Sequence, residues 1–410
     1  MLRAEPIVFN PGDPSFRADP YPAYVRLRDE DPVHETPIAF VVSRYQDCVA
    51  VLRDQRWSSD QRNSDAYRFA VERGLFDPEQ EALSKTPPFL VLDPPDHTRL
   101  RALVSKAFTP KVVEALRPHI QQVVDALLDR AAERGSLEVI EDLAYPLPVT
   151  VVCELLGVPP SDRETFKEWS GELARGLDPG TALVPEVVER RRHAGNAFMD
   201  YFRALIGERR KSPRDDLISA LIAAEEAGDR LTEAELLSTC ILLLAAGHET
   251  TANLIGNGVL ALLRHPEQLG KLRDDPSLAA GAVEEVLRYD SPVQMVTRTA
   301  LEEVELVDVT VRKGQQAALL IASANRDPAQ FAEPDRFDIT RQGSRHLGFG
   351  FGLHACLGAA LARVEGEIAF RTLARRFDWL ELLADPPEYK ESFVNRGPRE
   401  LRVGFAPATT

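Results

Sequence analysis

Hydrophobic side chains recur every three to four residues along most of this chain, which predicts a mainly helical protein. Short runs of β-branched and apolar residues toward both ends predict a small β region. Helices are predicted at Tyr21–Glu30, at Asp47–Arg53, from His97 to about Arg210, at Ala279–Tyr289 and at Leu357–Phe377. Strands are predicted at Ile38–Val42, Val304–Leu306, Val309–Val311, Ala317–Ile321, Leu380–Leu382 and Leu401–Phe405.

The clearest helix signal begins at Thr232. Thr232 and Glu235 match the S/T-x-x-E capping box, and no proline follows before Pro266. The helix could therefore extend over about 30 residues, or roughly 45 Å. Its middle, the sequence CILLLAAG from Cys240 to Gly247, is apolar on nearly every side, as expected of a helix buried all round. A buried helix of this length favours one large domain over residues 1–410, although the chain length alone suggests two or three.

The connection from Trp57 to Pro95 has no clear periodicity and is rich in polar residues and proline. Connections this long without regular structure are uncommon inside domains and are often functional. We expect residues 57–95, together with the helices within residues 160–211, to form a mobile lid over a ligand site.

Charge and cysteine content narrow the class of protein further. The net charge of −15 disfavours binding to nucleic acid or to anionic membranes. The 4 cysteines are far apart in sequence, so neither a disulfide framework nor a zinc site is expected. The N-terminus has no apolar signal segment, and the longest apolar stretch is too short to span a bilayer. The default expectation is a cytoplasmic enzyme with reduced thiols.

Cys356 differs from the other cysteines in its surroundings. Glycines alternate before it at positions 348, 350 and 352, and a predicted helix begins directly after it. Glycine allows unusual backbone angles and the close approach of a flat ligand, and a helix N-terminus favours a thiolate. The sequence FGFGLHACLG, residues 349–358, resembles the haem-ligand loop of the cytochrome P450 superfamily, in which a cysteine thiolate binds the haem iron.

Three further segments extend this resemblance over nearly the whole chain. AGHETT at 246–251 is similar to the family's A/G-G-x-D/E-T-T sequence, and LDPPDHTRLR at 92–101 resembles its H-T-x-x-R segment. Glu285 and Arg288 match its E-x-x-R pair, and Arg336 is the expected third member of this buried, structural ion network. The resemblance implies the cytochrome P450 fold of the soluble bacterial type, holding one haem b (iron protoporphyrin IX) through Cys356.

The AGHETT segment places an acid beside an alcohol. Gly247 lacks a side chain in mid-helix, which would leave room for dioxygen. The resemblance makes Glu249 and Thr250 the catalytic pair, with Thr250 donating a hydrogen bond at the oxygen site and Glu249 relaying protons from solvent. The alternative is that the Thr250 hydroxyl bonds to the carbonyl four residues earlier. His248 lies about 100° around the helix from Gly247, so ordinary packing is expected for it.

The resemblance also assigns haem and substrate contacts by position. Two haem propionates need cationic or hydrogen-bonding partners, and Arg298 lies in an otherwise apolar strand. The expected haem contacts are His97, Arg101, Ala246, Gly247, Arg298, Phe349, His354, Cys356 and Gly358. The expected substrate contacts are Phe89, Leu90, Leu242, Ala245, Val293, Gln294, Val296, Phe393 and Val394. Gln294 is the polar member of this second set and is the expected substrate anchor.

The implied function is monooxygenation of a small hydrophobic substrate with dioxygen and with electrons from a separate ferredoxin or flavodoxin. Because such carriers are acidic, they need a local basic surface. The candidates for this surface are Arg99, Lys106, Arg345 and Arg363. Two alternatives stay open. One is a peroxygenase driven by hydrogen peroxide, against which the intact acid–alcohol pair argues. The other is a non-catalytic haem-binding protein, which would have no use for a proton relay.

Overall fold

The computed structural model describes residues 7–407 except residues 8, 76, 79–84, 107–108, 177, 179–183 and 227–230. Helices dominate the described residues, as the periodicity predicted. The α-helices are Pro14–Ala18, Tyr21–Glu30, Tyr45–Arg53, Asp65–Glu72, Asp96–Ser105, Pro110–Arg134, Pro146–Leu156, Thr165–Arg175, Pro185–Lys211, Leu217–Glu226, Glu233–Arg264, Pro266–Asp274, Ala279–Tyr289, Ile321–Ala324 and Ala359–Arg376.

The strands form small sheets in which sequence-distant segments pair. They are β1 (Val33–Glu35), β2 (Phe40–Val42), β3 (Trp57–Ser58), β4 (Leu137–Glu138), β5 (Met295–Ala300), β6 (Val304–Leu306), β7 (Val309–Val311), β8 (Gln316–Leu320), β9 (Phe377–Leu382) and β10 (Arg402–Pro407). A five-stranded sheet has the order β1-β2-β8-β5-β3, in which only the β2–β8 pair is parallel. A three-stranded sheet has the order β4-β10-β9, and β6 pairs with β7.

The helix Glu233–Arg264, called the central helix below, is 32 residues long and is buried along most of its length. The capping box is confirmed: the Glu235 amide donates to the Thr232 hydroxyl at 3.2 Å, and the Thr232 amide donates to the Glu235 carboxylate at 2.7 Å. Helices from both halves of the chain pack around it, namely Pro146–Leu156, Thr165–Arg175, Pro185–Lys211, Ala279–Tyr289 and Ala359–Arg376. Within the described part of the chain, no helix is both long and apolar enough to cross a bilayer.

Gly258 allows the central helix to approach the helix Ala359–Arg376, called the last long helix below. A Cβ atom added at Gly258 would overlap the ring of Phe370. Similarly, a Cβ atom at Gly256 would lie 2.8 Å from Ile140 Cδ1. The central helix therefore uses glycine for close packing on this part of its surface, at the expense of helix propensity.

The connection 57–95 contains more regular structure than predicted. Its residues 76 and 79–84 lie outside the described residues, but Asp65–Glu72 forms a helix. Ser64 caps this helix by accepting a hydrogen bond from the Tyr67 amide at 3.1 Å. The helix has only 8 residues, of which only Ala70 is buried, so it is too short to be distinguished within a long polar connection.

Candidate active site

Cys356 lies near the end of the glycine-rich segment 347–357, called the cysteine loop below, which turns tightly before the last long helix. Gly350 and Gly352 have φ values of +70° and +71°, a left-handed conformation that residues with side chains avoid. The Gly350 amide donates to the Leu347 carbonyl and the Cys356 amide donates to the Phe349 carbonyl, each at 2.7 Å. These bonds fold the loop back on itself. They leave the Cys356 side chain exposed, whereas the other cysteines are buried.

The surroundings of the Cys356 thiol act on its pKa in opposite directions. Although the side chain is exposed, the surrounding protein atoms displace part of its hydration and raise the pKa, while the amides of Gly358 and Ala359 and the guanidinium groups of Arg101 and Arg363 lower it; the net pKa is raised. The start of the last long helix therefore favours the thiolate, as expected, without ionising it by itself. A bound metal cation would complete the ionisation, because a coordinating thiol loses its proton.

Basic side chains gather next to this loop with few partners of their own. The rings of His97 and His354 lie 4.2 Å apart between centroids. Both ring nitrogens of His97 and Nδ1 of His354 are buried without a hydrogen-bond partner among the described residues. Burial and the neighbouring Arg101 and Arg298 lower the pKa of both rings, and the proximity of His97 further lowers that of His354, to about 3.

Arg298 and Arg101 complete this basic group. Burial lowers the pKa of Arg298 to about 10, and the nearby Asp93 offsets this only in part. The Arg298 guanidinium donates to the Thr297 carbonyl at 2.8 Å, and Arg101 donates to the Ala355 carbonyl of the cysteine loop. A half-buried cation without a full set of acceptors indicates a site for an anionic ligand.

The central helix has an exposed stretch at Ala246 and Gly247, in the middle of its otherwise buried length. A Cβ atom added at Gly247 would lie 3.3 Å from Val152 Cγ2. Gly247 thus permits close packing against the helix Pro146–Leu156, a reason for glycine that the sequence did not suggest. The exposed backbone nevertheless leaves one face of this turn open to a ligand.

The hydroxyl groups after this stretch turn back onto the helix. Thr250 Oγ1 donates to the Ala246 carbonyl at 3.0 Å, and Thr251 Oγ1 donates to the Gly247 carbonyl at 3.2 Å. The back-bonded arrangement is therefore the one that this structure contains. The same hydroxyl groups satisfy carbonyl oxygens that the open stretch exposes.

Glu249 forms an ion pair that the sequence did not predict. Its Oε1 accepts a hydrogen bond from Lys390 Nζ at 2.6 Å. Burial would raise the pKa of Glu249, but the ammonium groups of Lys390 and Lys167 outweigh burial and hold the pKa below its usual range. Lys390 lies in DPPEYKESFV, a stretch without periodicity or a motif, so no sequence signal identified it.

His248 is packed in the core. Its Nδ1 donates to the Leu244 carbonyl at 2.7 Å, and its ring meets the Tyr145 ring edge-on with centroids 5.6 Å apart. Burial lowers its pKa, so the ring is neutral. This agrees with the expectation of ordinary packing.

Comparison with known proteins shows which family this chain belongs to. The cytochrome P450 family model matches residues 68–403. Cytochrome P450 107B1 of Saccharopolyspora erythraea is 44% identical over 402 residues, which cover 95% of this chain and 96% of the relative. The chain belongs to the cytochrome P450 family. The 6-deoxyerythronolide B hydroxylase of the same organism is 40% identical over 401 residues, covering 95% of this chain and 96% of the relative. The crystal structure of ligand-free Mycobacterium smegmatis CYP164A2 has a TM-score of 0.89 and 46% identity, covering 96% of this chain and 98% of that chain.

The protein is therefore a P450 monooxygenase with haem b as its cofactor. The described residues fit a haem. Cys356 offers an exposed thiol, and the unsatisfied ring nitrogens of His97, Nδ1 of His354 and the Arg298 guanidinium match the need of two propionates for donors. Of the remaining expected haem contacts, Ala246 and Gly247 are exposed on the central helix, Phe349 has the Arg363 guanidinium 4.5 Å from its ring centroid, and Gly358 caps the last long helix.

The structural ion network of this P450 differs from the predicted one in its third member. Arg288 donates to both carboxylate oxygens of Glu285 at 2.8 Å, and both side chains are fully buried. The prediction that the Arg336 side chain is this third member was wrong. The Arg336 side chain is 54% exposed, and its guanidinium contacts Glu333 at 3.2 Å. Arg341 is the third member instead, since its Nε lies 3.1 and 3.3 Å from the two carboxylate oxygens of Glu285.

Arg336 contributes to the network through its backbone. Its carbonyl accepts hydrogen bonds from Arg288 at 3.1 Å and from Arg341 at 3.2 Å. The two inward-facing arginines thus hold the segment around Arg336 by its main chain, and the side chain of Arg336 is left to solvent.

Four of the expected substrate contacts are buried, and the partners of Gln294 and Phe393 show that these two belong to the core. Gln294 is fully buried, its Oε1 accepts from the Tyr24 hydroxyl at 3.0 Å, and its Nε2 donates to the Ser291 carbonyl at 2.7 Å. Both ends of the amide are therefore committed to the protein, and the prediction of a substrate anchor was wrong. The Phe393 ring packs against Phe9 and Phe16, each at 5.8 Å between centroids.

The other candidates vary in exposure. Phe89 and Val394 are buried, and Leu90 is exposed at the middle of the turn Phe89–Val91. The half-buried candidates are Leu242, Ala245, Val293 and Val296. These four and Leu90 keep surface that a substrate could contact.

Proposed function

We propose that Glu249 and Thr250 deliver the protons for monooxygenation of a small hydrophobic molecule, and that Cys356 is the ligand of the haem iron. When bound, the haem activates dioxygen, so that one oxygen atom enters the substrate and the other leaves as water. The single observation that supports the haem position best is the adjacent pair His97 and His354 next to the cysteine loop, in which both ring nitrogens of His97 and Nδ1 of His354 are buried without a hydrogen-bond partner among the described residues.

The cysteine assignment has a direct spectroscopic test. Reduced protein with carbon monoxide should show the red-shifted Soret band of thiolate ligation. Cys356→Ser should abolish that band, whereas Cys240→Ser, at a buried cysteine of the central helix, should leave it in place. A band typical of histidine ligation in the unmodified protein would refute the assignment.

The proposed role of Thr250 requires its hydroxyl to change partner. The proton on Oγ1 is now donated to the Ala246 carbonyl, and a rotation about one side-chain bond would direct it to the open side of the helix. Glu249 would then replace this proton with one from solvent.

Replacing Thr250 by alanine tests the delivery of protons. Thr250→Ala should keep substrate binding but divert reducing equivalents into hydrogen peroxide or excess water, measured as product formed per NADPH oxidised. Thr250→Ser keeps the hydroxyl and should retain most of the coupling. If Thr250→Ala were as well coupled as the unmodified enzyme, the proposed pair would be wrong.

The proposed electron donor is a ferredoxin or flavodoxin that docks near the cysteine loop. The four candidate residues Arg99, Lys106, Arg345 and Arg363 are all exposed, and Arg99 and Arg363 pair with Glu235 and Glu284. Charge reversal by Arg345→Glu should slow reduction by a ferredoxin most strongly at low salt. Arg203→Glu, at an exposed arginine of the helix Pro185–Lys211, is the control and should have little effect.

The choice of oxidant in the assay distinguishes the peroxygenase alternative from the proposed monooxygenase. Product formed with hydrogen peroxide alone, compared with product formed with ferredoxin, its reductase and NADPH, distinguishes a peroxygenase from a monooxygenase that uses dioxygen. A protein without activity under either condition would be the non-catalytic haem binder. A spectral titration with terpenes, macrolides, fatty acids and aromatic acids would first identify a substrate for these assays.

The proposal extends to architecture and location. We propose one domain over residues 1–410, which is supported by the packing of helices from both halves on the central helix. Residues 57–95 and 160–211 are the proposed mobile lid; of these, residues 76, 79–84, 177 and 179–183 lie outside the described residues. A cytoplasmic location is supported by the four free thiols, because such thiols persist in reducing compartments.

A further inference from the structure

Lys390 binds two successive turns of the central helix at the proposed proton-delivering site. Its Nζ donates to Glu249 Oε1 at 2.6 Å and to Asn253 Oδ1 at 2.8 Å. The side chains of Lys390 and Glu249 are only 22% and 14% exposed. A short, charge-assisted hydrogen bond in such a partly desolvated place orients a carboxylate strongly.

The other charged or titratable groups facing Glu249 are weaker candidates for this task. His248 is neutral and bonded to a backbone carbonyl. Lys167, on the helix Thr165–Arg175, is bonded to both carboxylate oxygens of Glu141. Tyr145, which precedes the helix Pro146–Leu156, has its pKa raised by burial and stays protonated. Among the described residues, Lys390 is therefore the cation in direct contact with Glu249.

The residues that follow Lys390 fasten it to another part of the molecule. Glu391 pairs with Arg175 at the end of the helix Thr165–Arg175, at 2.8 Å. Asp178 Oδ1 accepts hydrogen bonds from the Ser392 hydroxyl at 3.0 Å and from the backbone amides of residues 393 and 394 at 3.0 and 2.8 Å. The position of the Lys390 ammonium thus depends on how this helix and Asp178 are placed.

We propose that Lys390 is a positioning residue that keeps the Glu249 carboxylate ionised and oriented, and that Arg175 and Asp178 hold Lys390 in place. This inference rests on the proposed proton-delivering role of Glu249. A carboxylate that strongly prefers the ionised form passes on a proton that reaches it from solvent. A displacement of the helix Thr165–Arg175 would move the ammonium and change that preference.

The effect on stability has opposite signs with and without Lys390. With Lys390, the folded-state pKa of Glu249 is lowered, so the pair stabilises the protein above the unfolded pKa and this stability is lost as the pH falls. Without the ammonium, burial becomes the dominant influence and raises the pKa. Stability then declines as the pH rises through the raised pKa.

The first experiment compares thermal midpoints of the holoenzyme at about pH 5 and about pH 7.5. Lys390→Met removes the charge but keeps much of the stem, and its deficit relative to the unmodified protein should widen by several degrees at the higher pH. Lys390→Arg should restore the original profile. Arg264→Met removes another ion pair between the central helix and the C-terminal region, with Asp385, and should show the same deficit at both pH values.

The inference would be overturned if the thermal midpoint of Lys390→Met were lowered by the same amount at both pH values, as is expected for Arg264→Met. If Lys390→Met does not fold, Lys390→Gln is used, since its amide can still bond to Asn253. Asp178→Ala should widen the deficit in the same direction by a smaller amount. An unchanged profile for Asp178→Ala would overturn the part of the proposal that concerns Asp178.

A second readout separates this inference from the proposed function. The solvent deuterium isotope effect on NADPH oxidation, with a ferredoxin and its reductase, should change in Lys390→Met and in Thr250→Ala but not in Arg264→Met. If only Thr250→Ala changes it, proton delivery stands and Lys390 has no part in it. If neither variant changes it, the proton-delivering role and the inference that rests on it both fail.

Discussion

Replacing Arg341 by methionine should destabilise the protein by about 2–4 kcal/mol, although the residue lies in no motif. The guanidinium makes two contacts with Glu285, at 3.1 and 3.3 Å, and donates to three backbone carbonyls at 2.7 to 3.2 Å. Its loss removes the donor of the Ala332 carbonyl, whereas the Arg336 carbonyl keeps its bond from Arg288 and the Glu333 carbonyl keeps its bond from the Arg336 amide. Arg288 still pairs with Glu285, so no buried charge is stranded, and the cost stays below that of losing Arg288.

The neighbouring arginines give the matched comparison. Arg288→Met should cost about 3–5 kcal/mol, because it removes the fully buried partner of Glu285. Arg336→Met removes an exposed pair with Glu333 and should cost about 1 kcal/mol or less. The predicted order of destabilisation is therefore Arg288, then Arg341, then Arg336.

Urea unfolding of the holoenzyme, followed by far-ultraviolet circular dichroism, measures the three free energies. The reasoning would be refuted if Arg336→Met cost as much as Arg341→Met. It would equally be refuted if Arg341→Met cost less than about 1 kcal/mol, since a surface contact would explain that value.

Further predictions concern the central helix and a buried acid. Thr232→Ala should lower the free energy of unfolding by about 1 kcal/mol through loss of the cap, in the same urea assay. Gly258→Ala should destabilise by roughly 1–3 kcal/mol, because the new methyl group overlaps Phe370. By contrast, Gly207→Ala, with open space around it, should stabilise by about 0.5–1 kcal/mol; equal effects would contradict the packing argument. Burial raises the pKa of Glu365 to about 8, so the neutral acid stabilises the fold at low pH and this is lost as the pH rises from about 4.5 through about 8. Glu365→Gln should match the unmodified protein near pH 5 and melt higher near pH 9, and parallel melting profiles would refute the shift.

Local signals located several elements correctly. The capping box fixed the start of the central helix at Thr232, and the helix Ala279–Tyr289 and the strands Val304–Leu306 and Val309–Val311 match their predicted bounds. These segments have strong periodicity or clear terminal residues, so interactions between residues close in sequence determine where they begin and end. The last long helix begins two residues later than predicted, at Ala359, because Leu357 and Gly358 belong to the cysteine loop and its cap.

Tertiary contacts decided what the sequence could not. Arg336 and Arg341 are five residues apart in one irregular segment, and only the path of the backbone determines which guanidinium reaches Glu285. Gln294 looked like a ligand anchor because it is polar among apolar neighbours, yet the N-terminal Tyr24 supplies its partner. Lys390 contacts Glu249 across 141 positions of sequence, a distance over which no local pattern carries information.

The pairing of β2 with β8 bears on how the chain can fold as it is made. Phe40 of β2 lies opposite Ala317 of β8, 277 positions later in the chain. During synthesis β2 therefore cannot pair with β8 until that later segment has been made. At the usual pace of synthesis, about 5–20 residues per second, the delay is roughly 15–55 s. During that time the β1–β2 hairpin has an open edge that can pair with other nascent chains. The yield of folded enzyme should therefore depend on chaperones that shield this hairpin until residues 316–320 emerge.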